Sequence, residues 1–401
     1  MRRRRVYVSG LGAITPLGAT WAESVVPLAQ GRSAVKPVEC FDVANFPSTV
    51  AAGISRRFDA TDDRRLALAR EAAREAWEMA CVDAAPERIG VFIGAESGRA
   101  TFSTLLDLAH AAGGGKSFDH EVFGAGARSL AARIDASTVS PAAVASELAR
   151  EFNAHGSVQT ISIACASGAA AIVEGTRAIR LGECDIALCG GVGADVDPLM
   201  LVGFGRLGAL SARGVSCPFD VRRDGFVVGE GAAMVVLSST PSNLGIEVSG
   251  IARTLDAYHL TKPDPEGDGA ARAMQGALAD ARRDSVDYIQ AHGTSTPLND
   301  EVEAKAIQRV FGTRWQDVYV SAVKGAVGHW VAGAGAIGFL CAAHAVRSGS
   351  LLPTANLKEP DRRCELRHVL GSAVSADISA AMVNAFAFGG ANACLVVERV
   401  T

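Results

Sequence analysis

No two cysteines in this 401-residue chain stand in a C-x-x-C arrangement, and their total, nine, is odd. A zinc site or a disulfide framework is therefore not expected, and the thiols suit a reducing compartment. Neither sign of charge dominates: 39 basic against 43 acidic side chains leave a formal net charge of only −4. A nucleic-acid partner would call for a concentrated positive surface, so none is expected. Aromatic residues are few, at 6%. The start of the chain also lacks a long apolar run. Arg2 to Arg5 look like the basic head of a secretion signal, but Ser9, Gly10 and Gly12 break the following segment, which reads as a strand and turn. Residues 325–346 carry no Asp, Glu, Lys or Arg and reach the ~20 residues that span a bilayer. His329, His344 and the many glycines and alanines there suit a loop leading into a buried helix instead. The expected setting is the cytoplasm, with no membrane contact.

What the chain does have is core material. Hydrophobic residues make up 49% and charged ones 20%, which excludes disorder and a coiled coil. With 43 glycines, close packing of helices and strands is expected. Length alone allows roughly two to three domains or one large α/β unit. Strand-like runs at residues 88–94, 185–191, 231–237, 288–291 and 318–321 alternate with helical ones at 63–81, 142–152, 270–282 and 301–310. This pattern predicts helices packed on sheets. A faint echo adds a division. Tyr7-Val8-Ser9-Gly10 has a partner in Glu247-Val248-Ser249-Gly250, and residues 228–237 have one in 388–398. Each pair would be the opening and closing strand of a half, so the chain reads as two related halves, 1–240 and 241–401.

Cys165 stands apart from the other cysteines by its setting, Ala164-Cys165-Ala166-Ser167-Gly168, between a strand-like run and a small-residue helix. A thiol at a helix N-terminus is expected to ionise more readily, and a thiolate is the competent nucleophile. His292 lies in a Gly/Thr/Pro loop just past a strand end, where α/β proteins place working groups. His329 lies between a strand and an Ala/Gly-rich helix, five residues after Lys324. A lysine in so apolar a segment needs a partner, for which Glu303 is a candidate. One cysteine with two loop histidines fits a hydrolase with one imidazole as base. It fits equally a site where two neutral imidazoles donate to a developing enolate oxygen. Spacing alone leaves both open.

Taken together, Ala164-Cys165-Ala166-Ser167-Gly168, Ala291-His292-Gly293-Thr294-Ser295-Thr296-Pro297, Lys324-x-x-x-Gly328-His329 and Asn384-Ala-Phe-Ala-Phe388-Gly-Gly-Ala-Asn392 resemble the ordered motifs of β-ketoacyl-acyl-carrier-protein synthases, in their Cys-His-His branch. The resemblance runs from about Val6 to Val400. It implies the thiolase fold: two βαβαβαββ halves in α-β-α-β-α layers, usually paired as dimers. It implies that Cys165 takes an acyl group from carrier-protein phosphopantetheine, with the Cys165 and Phe388 backbone N–H groups holding the oxyanion. His292 and His329 would then hold the malonyl thioester carbonyl while CO2 leaves, and the carbanion would attack acyl-Cys165. No metal or redox cofactor is implied. Thr294 and Thr296 match the hydroxyls that hold the pantetheine arm, and Lys324 the lysine supporting the histidines. Asp300 and Glu303 match the acids behind the loop, Phe388 the mobile gate, and Phe204 a wall of the acyl pocket. An acidic carrier protein needs a local basic patch, for which Arg64, Arg65 and Arg206 are candidates.

Three positions depart from the family pattern. Gly338 stands where a glutamate commonly meets the lysine, so Lys324 must use Glu303 or another acid, or lose its charge. Ala387 and Ala391 replace a glycine and a threonine around the gate, and the first predicts a stiffer gate. A specialised polyketide or polyene synthase fits as well as a fatty-acid enzyme. A non-catalytic chain-length factor would lack the nucleophile that Cys165 supplies, although a catalytic subunit requiring such a partner remains open. A thiolase would carry a C-terminal C-x-G motif, whereas Cys394 is followed by Leu395 and Val396.

Overall fold

The computed structural model describes residues 3–56, 63–98, 102–113, 115–131 and 139–400. Its main sheet system uses β1 (Tyr7–Ile14), β2 (Ile89–Gly94), β3 (Val158–Ile161), β4 (Ile186–Ala194) and β5 (Glu230–Ser238) from the first part of the chain. The second part supplies β6 (Ile246–Leu255), β7 (Tyr288–Gln290), β8 (Tyr319–Ser321), β9 (Arg367–His368), β10 (Ala380–Phe386) and β11 (Ala391–Arg399). Their hydrogen-bonded order is β9-β8-β7-β10-β11-β6-β1-β5-β4-β2-β3. Numbered within its own part, each set of five reads 3-2-4-5-1, with β9 added at one edge. Polarity repeats too. β2 runs parallel to β3 and β4, while β5 is antiparallel to β4 and β1. Likewise β7 runs parallel to β8 and β10, while β11 is antiparallel to β10 and β6.

The Val-Ser-Gly echo has a physical counterpart. In both opening strands the ladder skips the serine, Ser9 in β1 and Ser249 in β6, making a bulge at the same place. The glycine after each bulge then faces a helix at very short range. A methyl on Gly10 would lie 1.9 Å from the Ala76 carbonyl oxygen, and one on Gly250 2.1 Å from that of Ala277. Only a residue without a Cβ admits the helix so close.

Helices α1 (Arg64–Ala80), α2 (Ala143–Glu151), α3 (Ser167–Leu181), α4 (Pro198–Arg206), α5 (Asp268–Ala281), α6 (Pro297–Phe311) and α7 (Ala334–Ser348) complete the frame. α1 and α2 cover one outer face, burying Leu68 and Leu148 with Val91 and Met234. α5 and α6 cover the other, burying Met274 and Ile307 with Ile289 and Met382. α3 and α7 lie between the sheets, where Ile172, Ile179, Phe339 and Leu340 pack with Val235 and Leu395. The result is five layers. The uncharged run belongs to the middle one: Val331–Ser348 is long and apolar enough to cross a membrane, and 83% of it is buried inside the protein. Its apolarity is what a helix facing two sheets requires. α6 begins four residues before the expected 301, because Pro297 occupies the first helical turn after Thr296, where a missing N–H costs nothing.

Candidate active site

After β3 the chain turns sharply into α3. Ala164 has φ 51°, residues Ala164–Ala166 form one tight turn, and the helix begins at Ser167. Cys165 sits on that turn, 6% exposed, and the Phe388 backbone N–H donates to it. The expected easing of its ionisation is overturned. Burial pushes the Cys165 thiol up to about 12, against the weaker opposing pulls of the Lys324 charge and the Phe388 N–H. At pH 7 Cys165 is therefore a neutral thiol.

The two histidines arrive from different directions and are pinned at several atoms each. The His292 N–H donates to Glu303 Oε1 at 2.8 Å. Lys324 Nζ donates to the His292 carbonyl and lies 3.3 Å from its Nδ1. The His329 N–H donates to the Val227 carbonyl, and its own carbonyl accepts from Gly229 N–H, so a segment of the first half of the chain holds a histidine of the second. A methyl on Gly229 would lie 2.3 Å from the Val327 carbonyl oxygen, which accounts for glycine there. His329 Nδ1 accepts the Val331 N–H at 3.1 Å. The rings stand 5.9 Å apart at 83°. Burial, with the Lys324 charge, holds both imidazoles well below their usual pKa, so both are neutral at pH 7.

Tautomers follow from these bonds. An ammonium and an amide N–H are donors only, so both Nδ1 atoms accept and both Nε2 atoms carry the proton. With Nδ1 of each ring engaged by the protein, Nε2–H is the donor left on each, and both rings line the cavity of about 350 Å³ that Cys165 also lines. A cysteine hydrolase needs an unprotonated nitrogen facing the thiol. This arrangement offers two neutral donors and no such base, which favours the enolate-type site over the hydrolase that spacing left open.

Lys324 and Glu303 do not form the expected pair; among the described residues no ion pair joins them. Glu303, fully buried, accepts from the His292 and Gly293 N–H groups and from Asn384 Nδ2. Its charge still favours the Lys324 ammonium from a distance, but burial dominates and lowers Lys324 to about 8. Asp300 accepts from the Thr294, Ser295 and Phe219 N–H groups and so sets the shape of the His292 loop. Burial raises both acids. Thr294 and Thr296 line the cavity, their hydroxyls 2.8 Å apart.

Phe388 also lines the cavity, on a turn whose positive φ values fall at Gly389 and Gly390, 83° and 77°. Ala387 lies in extended backbone, φ −128° and ψ 156°, where a methyl adds no strain. The turn is tied down by Gly389 N–H to the Leu260 carbonyl and Asp256 N–H to the Gly390 carbonyl. Phe204 stands one ring back: it packs edge-on against Phe226, 5.2 Å away, and Phe226 in turn against His329 at 4.9 Å. Phe226 and Asn384 also touch the histidine machinery, Phe226 through the His329 ring and Asn384 through Glu303; only Asn384 falls inside a motif quoted above. Arg64, 37% exposed, is bound to the buried Glu230, and Arg65, itself buried, to Asp63. Arg206 is exposed at the end of α4, beside Leu207 at the cavity mouth. Cys394 is buried and donates to Asn384 Oδ1.

Two like-ordered halves of one eleven-stranded sheet, with helices packed between and outside them, make this the thiolase fold of condensing enzymes. Within that class the chain belongs to the β-ketoacyl synthase family: residues 3–242 match its N-terminal domain and 246–358 its C-terminal domain. It is 34% identical over 427 residues to 3-oxoacyl-[acyl-carrier-protein] synthase 2 of Coxiella burnetii, covering 100% of both chains. It is 34% identical over 423 residues to the tetracenomycin polyketide synthase ketoacyl synthase alpha subunit of Streptomyces glaucescens, covering 99% of this chain and 97% of that one. Among solved structures it resembles the ishigamide ketosynthase/chain length factor, with TM-score 0.86, 34% identity and 99% of each chain covered. It also resembles a type II polyketide synthase acyl-carrier protein in complex with its ketosynthase bound to the hexaketide, with TM-score 0.85, 28% identity and 100% of each chain covered.

Proposed function

We propose that this chain is a β-ketoacyl-acyl-carrier-protein synthase that joins an acyl group on Cys165 to malonyl carrier protein. The observation that carries the reading is that two neutral imidazoles, each with Nδ1 engaged and its proton on Nε2, line the same cavity as Cys165. In loading, the Cys165 sulfur attacks the acyl thioester, and its proton ends on the departing pantetheine sulfur. The oxyanion is held by the Cys165 and Phe388 N–H groups. In condensation the malonyl thioester carbonyl sits between His292 and His329. CO2 departs, the electron pair passes into an enolate stabilised by the two donors, and the carbanion attacks acyl-Cys165. The sulfur leaves and regains one proton from solvent. Lys324 fixes the His292 tautomer, Asp300 and Glu303 hold its loop, Thr294 and Thr296 receive the pantetheine arm, and Phe388 gates the thiol. No metal or redox cofactor takes part.

In this reading residues 1–240 supply the nucleophile and 241–401 both imidazoles, in a soluble cytoplasmic protein that works as a dimer with an acyl carrier protein. A heterodimer with a ketosynthase-like subunit is the second form of the same reading, favoured by the similarity to the ishigamide and tetracenomycin proteins. The test is to incubate the protein with a panel of acyl carrier proteins and follow Cys165 by intact mass. Cys165 should retain an acyl group, Cys165→Ala should retain none, and malonyl carrier protein should then release a 3-oxoacyl product. Acyl retention by Cys165→Ala would refute the assignment.

A further inference from the structure

The turn that carries Cys165 has an unfavourable conformation and an elaborate brace. Ala164 takes φ 51°, a region that a residue with a Cβ seldom occupies unless its surroundings hold it there. The φ and ψ angles of Ala164 are fixed by the relative orientation of its two flanking peptide planes. The plane before it is held by its N–H, which donates to Glu96 Oε1 at 3.1 Å. The plane after it is held by its carbonyl, which accepts from Ser167 Oγ at 2.7 Å and from the Ser167 N–H. Because a peptide is planar, fixing the Ala164 carbonyl also aims the Cys165 N–H in the opposite direction. That N–H is the group assigned above to the oxyanion.

Glu96 comes from outside every motif singled out in the sequence. It follows β2 by two residues, and its second oxygen accepts from Ser162 Oγ at 2.8 Å. Its first oxygen also lies 3.5 Å from Ser167 Oγ, and Ser167 Oγ accepts the Ile163 N–H at 2.9 Å. The Glu96 backbone carbonyl is gripped by Arg65 from α1. One carboxylate thus spans Ser162 to Ser167 and touches no part of the cavity itself. A side chain wanted only for solubility would not be drawn into three contacts with one turn, and its negative charge so near the thiol works against ionisation there. The bracing is what the carboxylate contributes.

We propose that Glu96 is a positioning residue that, with Ser167, holds Ala164 in its left-handed conformation and so aims the Cys165 N–H at the oxyanion formed during acyl transfer. The proposal rests on the reading of Cys165 as the acyl acceptor. It separates two reactions of one sulfur: thioester acylation needs the oxyanion donor, and alkylation by iodoacetamide does not.

Both rates are measured on the full-length protein by mass mapping of the Cys165 peptide, since exposed Cys40 and Cys81 also react with iodoacetamide, with S-hexanoyl-N-acetylcysteamine as the acyl donor. In Glu96→Ala, acylation should fall roughly tenfold or more, as expected when an oxyanion donor is misdirected, while alkylation matches or exceeds that of the unaltered protein. Glu96→Gln keeps the acceptor and removes the charge; it should restore acylation and speed alkylation. Ser167→Ala, a small change at a fully buried position, should show the same split as Glu96→Ala and serves where that variant fails to fold. Equal losses in both reactions, or unchanged acylation in Glu96→Ala and Ser167→Ala, would overturn the proposal. Absence of acylation in the unaltered protein, with alkylation intact, would instead overturn the reading of Cys165 on which it rests.

Discussion

A thiol pushed up to about 12 makes a quantitative demand on how Cys165 reacts. Against an ordinary cysteine at 9.0, three units leave about 1000-fold less thiolate at pH 7. A more basic thiolate is intrinsically more nucleophilic, and with a Brønsted slope near 0.45 this returns roughly 20-fold, so alkylation should be slower by roughly 50-fold net. Exposed Cys81 supplies an internal reference in the same sample. Alkylation by iodoacetamide, mapped by peptide mass, should rise about tenfold per pH unit between pH 6 and 7 and show no plateau up to pH 10. One inflection is expected on the way. Lys324, lowered to about 8, is a cation below that pH and neutral above it. Its help to the thiolate is therefore present below pH 8 and lost as pH rises through it, which flattens the rise between about pH 7.5 and 9. A plateau at or below pH 8 would refute the reasoning, because it would mean a resting thiolate paired with Lys324.

Four further outcomes are expected. His329→Ala should leave loading of Cys165 within a few-fold but slow malonyl decarboxylation by roughly 100-fold or more, the cost of removing one preorganised donor; the reverse pattern would reassign the histidine. In Lys324→Met, decarboxylation should be slower and should lose the decline that the unaltered protein shows as pH rises through about 8, where the Lys324 charge disappears. Glu303→Ala leaves the buried His292 and Gly293 N–H groups without acceptors, so urea unfolding should show a loss of about 2–6 kcal/mol. Gly338→Glu should fold, since a Cβ there meets Gln290 Cγ and Val383 Cγ1 at an ordinary 3.5 Å. Its carboxylate would lie one helical turn from Cys341, which feels the Lys324 charge. It should therefore raise Lys324 and move the alkaline decline to higher pH.

The duplication was legible because it is enforced locally: a skipped serine and a helix pressed on the next glycine leave the same three letters at residues 8–10 and 248–250. Cys165, His292, His329 and Lys324 were legible for a similar reason, since each lies among small residues that let backbones approach. The partner of Lys324 was not. Its contact is with the ring and carbonyl of a histidine 32 positions earlier in sequence, brought close where β7 and β8 run parallel. The ionisation of Cys165 was misread because helix position is visible in sequence whereas burial is a property of the assembled core. Glu96 was invisible for a third reason: its role depends on a backbone angle 68 residues away.

The central claim is that two neutral imidazoles, both protonated at Nε2, face the cavity of Cys165. Nitrogen-15 NMR of the histidine rings reads it directly, with His292→Gln and His329→Gln variants to assign the signals. The account predicts that both residues show an amine-type Nε2 and an imine-type Nδ1, unchanged from pH 6 to 7, where Lys324 is an ammonium. An imidazolium signal from either ring, or a proton on Nδ1 of either, would contradict it.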